Sequence, residues 1–178
     1  MSLEAFAEMS CLLAFWLPRF CLAQVPPCTS GKLRSEIQHQ VSTLSSLTVF
    51  DNISYSVNGC RVTLTGYVTR PVLKVEAEKA VNLIEGVERV ENRIEVLPLS
   101  SVDNTLRLRV YRAIYEFPHL QKYALGVNKP IRIIVRNSKV TLEGVVDCEA
   151  DRDIAGFRAK GIADVISVKN NLRVAGSS

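Results

Sequence analysis

Arg61-Val62-Thr63-Leu64-Thr65-Gly66-Tyr67-Val68 returns, 78 residues later, as Lys139-Val140-Thr141-Leu142-Glu143-Gly144-Val145-Val146. The alternation of Val62, Leu64, Gly66 and Val68 describes a strand with one buried face, and its recurrence predicts that the unit holding it occurs twice. The same offset persists through Val87/Val165, Val90/Val168, Asn92/Asn170 and Val96/Val174. Element lengths are therefore repeated along with composition.

Working outward, Leu33, Ile37, Val41 and Leu44 form one apolar stripe on a helix over about 32–44. Ile53, Tyr55 and Val57 alternate along a strand, and Asn58-Gly59 tolerates the positive φ of a tight turn into the quoted segment. Pro71 suits the first turn of a second helix with Thr69 as its cap, and Leu73, Ala77, Ala80, Val81 and Ile84 supply its buried stripe. Gly86 ends that helix, and Val87, Val90, Ile94 and Val96 form the closing strand. The order is helix, strand, strand, helix, strand.

The second unit repeats this order with three departures. Leu106, Val110, Ile114 and Phe117 match the first helix at an offset of 73 rather than 78, which places five inserted residues around Tyr123 to Pro130. Asn137-Ser138 stands where a glycine turn is expected, so the turn is expected to have another geometry. In the later helix, with Asp147 as its cap, Leu73 becomes Asp151 and Ala80 becomes Arg158, leaving Ile154, Ala155, Ala159 and Ile162 as the apolar face.

Residues 1–23 read as an export signal: Cys11 to Leu17 is a short apolar run, and Cys21-Leu22-Ala23 places small residues before a cut at Gln24. The run is broken by Pro18-Arg19 and lacks a preceding basic residue, so a retained membrane-associated segment and a cytosolic tail are the alternatives. Residues 24–31 are a linker, 32–97 the first domain, 98–102 a joint, 103–174 the second domain and 175–178 a tail. After a cut Cys28, Cys60 and Cys148 remain. They are expected to be unpaired structural thiols, with a Cys28 bridge or an intermolecular disulfide as alternatives.

From Lys32 to Pro98 eight basic residues meet eight acidic ones, whereas from Asp103 to Val174 thirteen meet eight. The second unit carries the positive charge. Its first helix also has a second apolar face, Leu108, Tyr111 and Tyr115, flanked by Arg107, Arg109 and Arg112. A lone helix needs one buried face, so a second demands a neighbour: the first unit, another subunit, or a membrane interface, where a tyrosine buries its ring and keeps its hydroxyl wet. Lys129, Arg132, Arg136 and Lys139 form a second basic group around the hairpin. No aromatic residue is interleaved there to stack bases, so nucleic acid is not favoured.

Catalytic patterns are lacking. His39 and His119 have no cysteine or carboxylate at metal-ligand spacing, and no glycine-rich loop cradles phosphate. Glu76, Glu78, Glu149, Asp151 and Asp153 read as solvated helix charges. No enzyme, cofactor or metal is expected.

Val62-Thr63-Leu64-x-Gly66-x-Val68, followed by Gly86-Val87-x-x-Val90-x-Asn92-x-Ile94-x-Val96, resembles the BON domain, and Val140 to Val146 with Gly161 to Val174 resembles a second one. The resemblance implies an α+β fold of two tandem αββαβ domains, each a three-stranded mixed sheet packed against two helices. It implies exported bacterial envelope or osmotic-stress proteins that attach to phospholipid surfaces, with a structural, protein-interacting or oligomer-forming envelope role as the alternative. The family supplies no catalytic set. Gly66 and Gly144 are then expected to permit close backbone packing or a strand bend, and Asn92 and Asn170 to fix a turn before the last strand.

Overall fold

The computed structural model describes residues 30–125 and 129–176. The export-signal reading and Cys28 lie outside the described residues. In the first copy helix α1 (Ser30–Ser42) precedes the hairpin β1 (Asn52–Asn58) and β2 (Arg61–Val68), then helix α2 (Pro71–Asn82) and strand β3 (Arg89–Val96). The second copy runs α3 (Ser101–Tyr115), a 3-10 helix (Pro118–Ala124), β4 (Ile131–Arg136), β5 (Lys139–Val146), α4 (Glu149–Lys160) and β6 (Ser167–Val174). Each sheet has three strands with the quoted segment at its centre, antiparallel to the strand before it and parallel to the strand after it. The fold is α+β, with two mixed sheets each covered on one face by two helices.

The cores follow from the periodicities. Leu33, Ile37 and Val41 of α1 and Leu73, Ala77 and Val81 of α2 close over Val62, Leu64, Val68 and Ile94. Leu106, Val110 and Ile114 of α3 and Ala155 and Ala159 of α4 close over Ile133, Val140, Leu142 and Leu172. Each sheet keeps its other face free of its own helices.

Gly66 and Gly144 occupy the matching place in each hairpin. Their φ values are +123° and +126°, and a Cβ would lie 2.1 Å from the carbonyl oxygen of Asn52 and 1.9 Å from that of Pro130. Only glycine brings the two backbones this close. Asn92 and Asn170 sit inside the last strands rather than in a turn before them. Asn92 Nδ2 donates to the Lys74 carbonyl at 2.8 Å and to Glu78 at 2.9 Å, and Asn170 Nδ2 donates to the Arg152 carbonyl at 2.7 Å. Both stitch strand to helix. At the place of Glu78 the second copy has Gly156, where a Cβ would lie 2.7 Å from Asn170 Nδ2.

Several local expectations are corrected. Asn58 is the last residue of β1, so the first turn is Gly59-Cys60. The second turn differs: Asn137 and Ser138 both take positive φ, 52° and 59°. Asp103 at the start of α3 holds that turn by accepting from both amides, at 2.9 and 2.8 Å. Helix α2 is capped by Arg70 without a side-chain bond, because the buried Asp51 takes Thr69; α4 is capped by Cys148, because Asp147 pairs with Lys122. Cys60 is disulfide-bonded rather than a free thiol. Cys148 is free and exposed.

Candidate functional site

The first helix of the second copy presents three faces. Leu106, Val110 and Ile114 fill the core. Arg107, Tyr111 and Tyr115, spaced by four, face β4 and the loop that precedes β1. Val102, Thr105, Leu108, Arg109 and Arg112 face outward.

On the second face the side chains are already occupied. Tyr115 is 3% exposed and donates its hydroxyl to the Ile131 carbonyl at 2.6 Å; burial raises its pKa. Tyr111 lies edge-on to Phe50 at 6.2 Å and next to Tyr115 at 5.0 Å. Arg107 is buried, donating to the Val135 carbonyl at 2.9 Å and to Asn104, with burial lowering its pKa against the nearby Asp103 and Asp51. The neighbour these residues need is thus supplied by the chain itself.

The second basic group is divided in the same way. Arg132 donates to the Thr48 carbonyl at 2.8 Å, and burial lowers its pKa. Beside it the Ile133 amide donates to the Val49 carbonyl at 2.9 Å, while Val49 and Phe50 pack against the second copy's core. Arg136 pairs with Glu95 at 3.0 Å and lies over the Tyr67 ring. Lys129 stands over Tyr111 and Tyr115, at 5.7 and 5.9 Å. Only Lys139 remains without such a contact. The basic group expected around the hairpin thus lies along the seam between the two copies, where the loop before β1 bonds Arg132 and Ile133 of β4 and Glu95 of β3 pairs with Arg136.

The outward face of α3 is different. Val102 and Leu108 are each 54% exposed, and Arg109 and Arg112 are exposed beside them. Arg109 pairs with Asp164 at 3.0 Å. Between the C-terminal halves of α3 and α4 lies a groove of about 740 Å³, lined by Arg109, Arg112 and Arg158, by the apolar Phe117 and Ile162, and by the one acid Glu116. Arg158 is held there by donating Nε to the Ala113 carbonyl at 3.1 Å and by stacking over Phe117 at 4.8 Å. Phe157 on the same helix is 79% exposed. Of the six residues expected to form one face, the structure groups Leu108, Arg109 and Arg112 outside and turns Arg107, Tyr111 and Tyr115 inward. Arg158 joins the outer group, and its signal was the Ala80/Arg158 mismatch between copies.

The Leu73/Asp151 mismatch marks a second cluster. Asp151 is wholly buried rather than a solvated helix charge. Lys122 approaches it at 2.7 Å and Asp147 at 2.8 Å, Tyr123 donates to it, and His119 Nε2 lies 2.9 Å from Oδ1 without hydrogen-bond alignment. Tyr123 in turn accepts the Asp147 amide at 2.8 Å. The 3-10 helix, which takes up part of the extra length of this connection, supplies His119, Lys122 and Tyr123. Burial pushes the Asp151 carboxyl up, but hydrogen bonds from Lys122, Tyr123 and Cys148 outweigh it and bring it down to about 2. The cluster therefore stabilises the fold fully above the ordinary carboxylate value, and the contribution is lost as pH falls through about 2. In urea melts the gap between wild type and Asp151→Asn should be widest above pH 5 and narrow steadily toward pH 2; a gap that widens on acidification contradicts this assignment.

Among the described residues no group of three or more His, Cys, Asp or Glu stands in metal-holding geometry, and no helix is long and apolar enough to cross a membrane. What the geometry defines is a pair of αββαβ modules joined along one seam, with a basic and apolar outer surface on the second. The family model of the BON domain matches residues 30–98 and 103–176, and the chain belongs to that family. BON domains are associated with envelope and phospholipid-binding proteins, and the family is in general noncatalytic. No curated protein matches the chain. Solved structures with weak similarity include two of one protein. One is CdsD, a structural protein of the type III secretion system of Chlamydia trachomatis, at 13% identity over 82% of this chain and 94% of that one, with a TM-score of 0.29. The other is the C-terminal domain of CdsD, at 13% identity over 80% and 96%, also with a TM-score of 0.29.

Proposed function

We propose that the chain is a noncatalytic, peripheral envelope protein whose second copy attaches to anionic phospholipid through the outer face of α3 and the adjoining groove. The carrying observation is the coincidence of exposed Val102 and Leu108 with Arg109, Arg112 and Arg158 on a surface the interdomain seam leaves uncovered. Arginines engage phosphate oxygens as forked donors, and the aliphatic residues enter the headgroup boundary. The disulfide at Cys60 supports an oxidising compartment, as in the periplasm.

Flotation of the full chain with vesicles tests this. Binding should require anionic lipid and weaken with salt. Each arginine contributes about 1 kcal/mol near an anionic surface, so Arg109→Gln with Arg112→Gln should lower binding about thirtyfold. Absence of binding across anionic compositions overturns the lipid reading and leaves envelope assembly through a protein partner.

A further inference from the structure

We propose that the first copy carries a separate anion site, for a phosphate dianion of the phosphomonoester type, at the hairpin end of its sheet. Asn58 of β1 is paired with Arg61 of β2, and Arg61 with Arg89 of β3. Residues in register across a sheet project from the same face. Since Val62 and Leu64 point to the helices, Asn58, Arg61 and Arg89 stand abreast on the helix-free face. Two arginines side by side on adjacent strands repel each other. Neither guanidinium makes an ion pair or hydrogen bond with any described residue, and Glu91, on the same face of β3, is taken by Arg93 at 2.7 Å.

These residues line a cleft of about 500 Å³ together with Cys60 and Glu88. The turn beneath it is held to the start of β3 by the Glu88 amide, which donates to the Cys60 carbonyl at 2.9 Å. Its walls are therefore preorganised. Two guanidinium groups face one carboxylate, leaving net positive charge, and the Asn58 amide adds a neutral donor. Paired guanidinium forks match the oxygens of a phosphate group, which relieves the repulsion that the bare pair sustains.

The second copy lacks the arrangement. The corresponding row is Arg136, Lys139 and Ser167, and Arg136 is already paired with Glu95. The site therefore belongs to the first copy, whose net charge is zero, and it is distinct from the outer face of α3.

The test titrates the full chain with inorganic phosphate at constant ionic strength while following arginine side-chain NMR signals, and in parallel floats it with phosphatidate vesicles. Saturable shifts at Arg61 and Arg89 are expected. Arg89→Ser, which copies the second repeat, should weaken binding at least about tenfold, and Glu88→Gln should strengthen it. Arg89→Ser should also be no less stable than wild type without phosphate, because it removes a like-charge neighbour. Shifts with inorganic phosphate support a soluble ligand. Binding only to phosphatidate that is lost in Arg89→Ser, but kept in Arg109→Gln with Arg112→Gln, supports a lipid headgroup as the source. No shift with either probe, or an unchanged response in Arg89→Ser, overturns the proposal.

Discussion

Gly144→Ala should destabilise the protein by about 3 kcal/mol or more, enough to shift a urea transition well outside measurement error. The Cβ that alanine adds would lie 1.9 Å from the Pro130 carbonyl oxygen, and φ at this position is +126°. The obstructing atom is backbone, so no side-chain rotation relieves it. Gly144 is opposite Ile131, the first residue of β4. Relief requires the β4–β5 ladder to open at that end and to expose Ile131, which is wholly buried. Gly66→Ala should act in the same way on the first copy through Asn52. Gly31→Ala provides the control: nothing lies within 4 Å of its Cβ direction, and a helical alanine is favourable. Transitions for Gly144→Ala and Gly31→Ala that coincide would refute the close-approach argument.

Asp51→Ala should cost about 3–5 kcal/mol and loosen the two copies from each other. The carboxylate is 0% exposed. One oxygen accepts the Thr69 amide at 2.6 Å and its hydroxyl at 2.8 Å, and the other accepts the Thr48 amide at 2.8 Å and its hydroxyl. Removing it strands two backbone donors and takes a negative charge from near the buried guanidinium groups of Arg107 and Arg132. Asp51→Asn should rescue little, since an amide turns its NH2 toward one of those backbone donors. Hydrogen exchange at Ile133 is the direct readout, because its amide bonds Val49 two residues before Asp51. Exchange as slow as in wild type would show that Asp51 does not hold the seam.

The fold was legible because it is stated twice. Val62/Val140, Gly66/Gly144 and Asn92/Asn170 repeat with their surroundings, and alternation or helical spacing assigns the element on which each lies. The surface was legible only in part. Leu108, Arg109 and Arg112 emerge outward as their spacing allows, but whether Arg107 and Tyr115 face water depends on where β4 and the loop before β1 come to rest. That placement is a long-range contact with no local periodicity. Asp51 gave no signal in part for the same reason, since two of its four donors come from Thr69, across the hairpin, and only two from the neighbouring Thr48. Arg158 and Asp151 were visible as mismatches between copies. A single exchange of residue type, however, does not distinguish a charge on the surface from one buried against a 3-10 helix.

The bond between Val49 and Ile133 also determines what can be learned by dividing the chain. A β-strand edge without a partner recruits another one. Severing the two copies removes the segment that occupies β4 and uncovers its amides beside Ile134 and Tyr111. Self-association of an isolated second copy would then report an exposed seam, and would say nothing about how many chains the intact protein brings together.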